Sequence, residues 1–212
     1  MRAIVCRKLG PLSALRLEDV PEPDLGPGQI RIGIKAAGIN FPDILTVEGV
    51  YQHKPPLPFI VGFEIAGEVL EMADDVRRFE IGDRVIAGIR PGGFAEQAVV
   101  EASAVQCTPK PFDDITAAAF RVTYFTAYHC LFQRGRLKPG EWVLINGATG
   151  GVGLAAVEIA KLHGAKIIGT GGDDGKLEIV KQYGANHVIN YEKGSFRDQV
   201  KEITGGCGVN LV

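Results

Sequence analysis

The sequence predicts an α/β fold in two parts: a β-rich barrel domain over residues 1–116, then a partial, doubly wound parallel sheet over residues 117–212. Three observations predict it. Short apolar runs separated by Gly/Pro turns fill the first half, alanine-rich helical text opens the second, and a glycine turn near residue 150 joins a buried strand to a helix.

The barrel reading rests on runs such as Ile30–Lys35, Ile65–Leu70 and Arg84–Ala87. Turn clusters at Leu25-Gly26-Pro27-Gly28, Pro55-Pro56-Leu57-Pro58, Ile81-Gly82-Asp83 and Pro91-Gly92-Gly93 separate them. From Asp113 the text changes. Asp114 is a candidate N-cap, and Ile115 to Arg134 carries apolar residues on most faces of a helix. No repeat or low-complexity linker intervenes, so the two domains are expected to pack directly, with a ligand cleft between them.

The second domain turns on Trp142–Ile145, a buried strand, followed by Asn146-Gly147-Ala148-Thr149-Gly150-Gly151-Val152-Gly153 and a helix through Leu162. A helix start leaves backbone N–H groups unpaired and carries partial positive charge. Residues without side chains at Gly150, Gly151 and Gly153 let an anion approach the main chain, as a dinucleotide pyrophosphate does. Against the pattern G-x-G-x-x-G, Ala148 replaces the first glycine, while Gly150 and Gly153 match. Ala165–Thr170 then reads as a second parallel strand, Lys176–Tyr183 as a helix, Gly184 as its C-cap and His187–Asn190 as a third strand. The alternative is a βαβ unit whose glycines serve only tight packing. The text closes at Val209–Val212, in what reads as a fourth strand, so one βαβαβ half is expected and the other is not in view. A strand in last place would expose an unpaired edge and favour self-association.

Composition narrows the function. With 212 residues, 46% hydrophobic and 23% charged, the chain has the makeup of a folded protein rather than a disordered one. A net charge of −2 offers no basic field for nucleic acid. The apolar start Met1–Cys6 breaks at Arg7 and Lys8, too short for a signal segment or membrane span, so a cytoplasmic protein is expected. Cys6, Cys107, Cys130 and Cys207 are scattered, without zinc-site spacing, and read as free thiols. His53, His129, His163 and His187 are equally dispersed and read as ordinary surface or packing residues.

The chain resembles the zinc-independent quinone oxidoreductase branch of the medium-chain dehydrogenase/reductase superfamily. The resemblance is carried by Ala36–Asp43, Gly49-Val50-Tyr51, Pro55–Pro58 with Val61–Gly67, Gly82–Val85, Gly93–Glu96, Thr126-Ala127-Tyr128, Gly147–Gly153, Gly184-Ala185 and Ile189-Asn190-Tyr191. It implies a GroES-like barrel domain joined to a Rossmann domain, a nicotinamide cofactor across the interdomain cleft, and a homodimer when full length. In zinc-dependent cousins a cysteine follows Gly-Ile and a histidine precedes the glutamate. Here Asn40 and Phe63 stand there, leaving Asp43 and Glu64 without a partner set for a catalytic zinc. No cysteine lies between Cys6 and Cys107, so the structural zinc lobe is missing as well.

Without a metal to polarise an alcohol, the fitting chemistry is hydride transfer from NADPH to an electron-poor acceptor, a quinone or an α,β-unsaturated carbonyl. Such a reaction needs a hydrogen-bond donor for the oxygen that becomes negative. Tyr51 is the first candidate donor, and by resemblance Asn40 bonds near the nicotinamide or the acceptor, while Thr126 lies near the nicotinamide ribose. Loop packing for Tyr51 and a turn role for Asn40 are the plain alternatives. Thr149, Gly150, Gly151, Val152 and Gly153 are the expected phosphate cradle. No carboxylate follows Thr170 to take a ribose 2′-hydroxyl. Instead come Gly172, then Lys176 at the position resembling the family's 2′-phosphate contact, with Tyr191 as its partner; these favour NADP over NAD. Asp173 and Asp174 would oppose a phosphate if they pointed inward, and a solvated lysine is the plain reading of Lys176. Phe41, Tyr51, Phe59 and Phe63 supply an apolar wall for a small acceptor, or simply core. Two further functions stay open: a 2-alkenal or enoyl double-bond reductase of the same fold, and a non-catalytic NADPH-binding protein with a structural or RNA-associated role.

Overall fold

Antiparallel pairing dominates the first 107 residues of the computed structural model, which describes residues 1–212 throughout. The strands are β1 (Arg2–Cys6), β2 (Arg16–Asp19), β3 (Gln29–Gly38), β4 (Phe59–Ile60), β5 (Glu64–Met72), β6 (Arg84–Gly88), β7 (Gln97–Glu101) and β8 (Val105–Cys107), with helix α1 (Phe41–Val47) after β3. They form a five-stranded sheet, β7-β3-β5-β6-β8, and a three-stranded sheet, β2-β1-β4. A bridge between Ala3 and Ala95 ties the two, as expected of a partly open barrel. Alternate residues of β3 and β5 point inward, so Ile30, Ile32, Ile65 and Val69 meet Phe79, Val85 and Val105 in one core. Each such side chain contributes about 1.5–3 kcal/mol on burial.

Contacts divide the chain into Met1–Val122 and Thr123–Val212, a few residues beyond the boundary read from the sequence. The division falls inside helix α2 (Asp114–Tyr128), because Ala117 and Ala118 in its first turns pack against Ala66 and Ile86 of the five-stranded sheet. The cap of α2 also differs from expectation. Asp113, not Asp114, accepts from the Thr116 amide at 2.7 Å, while Asp114 is drawn to Arg84 at 2.7 Å. Nor does the α-helix run to Arg134: it widens after Tyr128 into a π-helical turn over His129–Arg134.

The second unit is a βαβαβ array: β9 (Trp142–Ile145), α3 (Gly151–Leu162), β10 (Lys166–Gly171), α4 (Asp174–Tyr183) and β11 (His187–Asn190), followed by α5 (Phe196–Ile203). The strands are parallel in the order β11-β10-β9, and Leu211 bridges Val143 in parallel on the far side of β9. Strand order therefore reverses direction at β9. Such a reversal opens a crevice at the carboxyl ends of the strands. The sheet is apolar on both faces, with Val143, Ile145 and Ile167 on one and Leu144, Ile168 and Ile189 on the other. Asp173 caps α4 by accepting from the Lys176 amide at 2.8 Å, and Gly184 ends it at φ 123°, a backbone angle that suits glycine. No helix is long and apolar enough to cross a membrane.

Candidate functional site

In the second unit the loop after β9 is shaped by backbone. Gly147 takes φ 62°, the buried Ala148 donates its amide to Thr170 O at 2.9 Å, and Thr170 Oγ1 donates to Asn146 Oδ1 at 3.2 Å. The loop is thus pinned to β10 before the chain enters α3. Ala148 stands in a glycine position because the space beside it is made by Gly169, where an added Cβ would lie 3.1 Å from the Ala148 methyl. Gly153 has no such latitude: a Cβ there would overlap Gly147 O and come within 2.7 Å of Ala148 Cα.

Gly150 is the N-cap of α3 and offers no side-chain bond, so the amides of Gly151, Val152 and Gly153 have no intrahelical acceptor. They open on a cavity of ≈490 Å³ walled by Gly150–Gly153, Asn146, Ala127, Leu131 and Leu211. Bare amides at a helix dipole's positive end, with apolar wall beside them, fit a diphosphate carried by a flat organic group.

The other second-unit candidates lie outside that cavity's lining. Thr149 is half-buried, its methyl 2.8 Å from where a Cβ on Gly171 would stand. Gly172 and Tyr191 are brought together, since a Cβ on Gly172 would sit 3.1 Å from the Tyr191 hydroxyl. Lys176 is exposed in the first turn of α4. The acidic pair beside it is already engaged: Asp173 caps the helix, and Asp174 accepts from Asn190 Nδ2 at 2.7 Å and pairs with Lys193, which hold its carboxyl below the usual range. Thr126 is exposed on α2, one residue before Ala127 of the cavity wall.

In the first unit the candidates meet at the start of β5. The Tyr51 ring stands edge-on to Phe63, with centroids 5.9 Å apart, and its amide donates to Leu45 O at 3.1 Å. Asn40 caps α1, and its Nδ2 donates to Glu64 Oε1 at 2.8 Å. Consecutive residues Phe63 and Glu64 therefore touch Tyr51 and Asn40. Asp43, only 3% exposed, accepts from the Asn40 amide at 2.7 Å through Oδ2, while its Oδ1 is buried without a partner. Burial first, and the Glu64 charge second, push the Asp43 carboxyl up to about 6 against the pull of the Asn40 and Gly62 amides. Phe41 is exposed and Phe59 is core, packed with Cys6, Val47 and Val61, so of the apolar wall residues Tyr51 and Phe63 are the pair in ring contact.

No group of three or more His, Cys, Asp or Glu side chains is arranged to hold a metal ion, and all four cysteines are free. The signal that sequence reading passed over is glycine at strand ends: Gly38 closes β3 and Gly88 closes β6, in register on either side of Glu64. Both mark close approach, of the Glu64 carboxylate at Gly38 and of the Arg121 guanidinium at Gly88.

Comparison with known proteins agrees with both halves. Residues 26–111 match the family described as alcohol dehydrogenase GroES-like domain, and residues 151–212 match the one described as zinc-binding dehydrogenase. Quinone oxidoreductase-like protein 2 homolog of Nematostella vectensis is 41% identical over 214 residues, spanning all of this chain and 58% of that protein. A phenolphthiocerol/phthiocerol polyketide synthase component of Mycobacterium tuberculosis is 41% identical over 203 residues, spanning 96% of this chain and 9% of that protein. The crystal structure of Escherichia coli quinone oxidoreductase complexed with NADPH superposes with a TM-score of 0.92 at 34% identity, covering 97% of this chain and 63% of the other. The chain spans about three fifths of the length of the quinone oxidoreductase-like relatives it matches.

Proposed function

The chain belongs to the quinone oxidoreductase branch of the medium-chain dehydrogenase/reductase superfamily, and from that premise we propose that it is the barrel and dinucleotide-binding portion of an NADPH-dependent reductase that delivers hydride to a quinone without a metal. The observation that carries this reading is the row of unpaired amides at Gly151, Val152 and Gly153 where strand order reverses. Those amides would hold the pyrophosphate. Lys176 and Tyr191, with Gly172 beside the tyrosine, would take the adenosine 2′-phosphate, and the engagement of Asp174 by Asn190 and Lys193 lowers the opposing charge. When bound, NADPH supplies the hydride. Tyr51 would donate its phenolic proton in a hydrogen bond to the acceptor oxygen as it gains charge, and the Asn40 carboxamide would orient the reacting groups. No donor set in the first unit supports a Lewis-acid role: the place beside Glu64 is filled by an asparagine amide, and Phe63 has no lone pair to give.

An unsaturated carbonyl acceptor is the second reading, favoured by identity to the polyketide synthase component as high as that to the quinone oxidoreductase-like relative. Rapid-mixing measurement of NADPH oxidation, with a quinone in one arm and a 2-alkenal in the other, separates the two. Turnover of neither, with NADPH bound, would leave a nucleotide-binding protein. Failure to bind NADPH would remove the proposal altogether.

A further inference from the structure

The start of β5 carries a carboxylate that hydride transfer does not use. Glu64 is 2% exposed, and its cross-strand neighbours are Gly38 on β3 and Gly88 on β6. Both glycines make room. A Cβ on Gly38 would overlap Glu64 Oε1 and lie 2.7 Å from Ala118 O, and one on Gly88 would overlap the Arg121 guanidinium. The sheet therefore gives up two side chains, at a cost in strand stability, to seat one acid and one base. Glu64 Oε1 accepts from Asn40 Nδ2 and Oε2 from the Val122 amide, each at 2.8 Å. Its charge also supports the Arg121 guanidinium against the burial that lowers that group's basicity.

A carboxylate only accepts, so only the Nδ2 end of Asn40 can face it. The carboxamide has one orientation, and its donor and acceptor ends are not interchangeable. We propose that Glu64 is a positioning residue: through the bond to Nδ2 it fixes the direction in which Asn40 presents its carboxamide to the reacting groups, without touching them itself. The assignment of Asn40 to the reacting groups rests on the proposed function. The link from Glu64 to Asn40 rests on geometry alone.

Glu64→Gln tests it, because with the Gln carbonyl on the Val122 amide its Nε2 faces Asn40, which must then either meet it donor to donor or turn its carboxamide over. In ligand-free protein, the Asn40 side-chain amide resonances, assigned by their loss in Asn40→Ala, should be shifted and slow to exchange in wild type. In Glu64→Gln they should move to solvent-like positions. Unchanged resonances would overturn the proposal. With NADPH, Glu64→Gln should slow hydride transfer about tenfold in the Asn40 background and about twofold or less in Asn40→Ala. Equal slowing in both backgrounds would mean a merely structural acid and overturn it. If Glu64→Gln alone does not fold, Glu64→Gln/Asn40→Asp, in which the bond runs in the opposite direction, should restore cooperative melting; no restoration counts against the link. A wild-type protein that binds no NADPH defeats the proposed function instead, and the amide spectra then decide the Glu64–Asn40 link by themselves.

Discussion

The crevice beside β9 and the nest at the start of β5 are built from opposite materials. At the crevice the chemistry is main chain: three amides without acceptors, a glycine that tolerates no Cβ, and a loop pinned to Thr170. At the nest it is side chain, with Asn40 and Glu64 bonded to each other and Asp43 closing on the Asn40 amide. The first region offers backbone donors to an anion; the second spends most of its donors and acceptors on itself. A backbone site can accept a ligand without rearranging, whereas a side-chain nest must hold its geometry by mutual bonds before any ligand comes.

If that contrast is right, adding one methyl group to the crevice is the most damaging small change. Gly153→Ala should abolish measurable NADPH binding and cost roughly 3 kcal/mol or more of stability, because the overlap is with backbone that cannot step aside. Fluorescence titration together with urea melts would show it, and a variant that still binds would make the cradle a packing device. Gly38→Ala tests the nest in the same way. It should cost about 2–3 kcal/mol in urea melts, since the new methyl meets the Glu64 carboxylate and Ala118 O, yet leave the affinity for NADPH close to wild type if the two regions are separately built.

Asp43 sharpens the contrast through pH. Its carboxyl is raised from 3.8 to about 6 in the folded protein, so the native state holds the proton more tightly than the unfolded chain does. The stabilisation this gives is complete below the unfolded value and is lost as pH rises through about 6. Asp43→Asn should therefore gain stability relative to wild type between pH 4 and pH 7.5, by about 2 kcal/mol. A constant difference across that range would show that burial does not govern this acid. The smallest effect on the fold is expected at the rim of the crevice. Lys176→Ala should leave stability near wild type yet weaken NADPH by one to two orders of magnitude, about 1.4–2.7 kcal/mol, and leave NADH nearly unchanged. Equal losses for both would deny Lys176 the 2′-phosphate.

The same contrast explains what could be read in advance. Gly150, Gly151, Gly153 and Gly184 were legible because a helix start and a helix end make local demands that glycine meets. The parallel strands were legible for a similar reason, being continuous apolar runs. Glu64 was visible as a residue but not as Asn40's partner, since residues 24 apart meet only through the pairing of β3 with β5. Asp113 and Asp114 are equally good caps in sequence, and only Arg84, arriving from β6, decides between them. Strands β1, β2, β4, β7 and β8 went unread: none exceeds five residues, and β2 leaves Leu17 in solvent, so no long alternation announces them.

The row Gly38–Glu64–Gly88 has a consequence for how this chain can change over time. A side chain gained at either glycine meets a charged group already seated there, and a shorter acid at 64 would leave a hollow flanked by residues too small to fill it. Losing the acid frees neither glycine, because a side chain at 38 would still meet Ala118 O and one at 88 the Arg121 guanidinium, so a descendant without Glu64 should be found to keep both glycines.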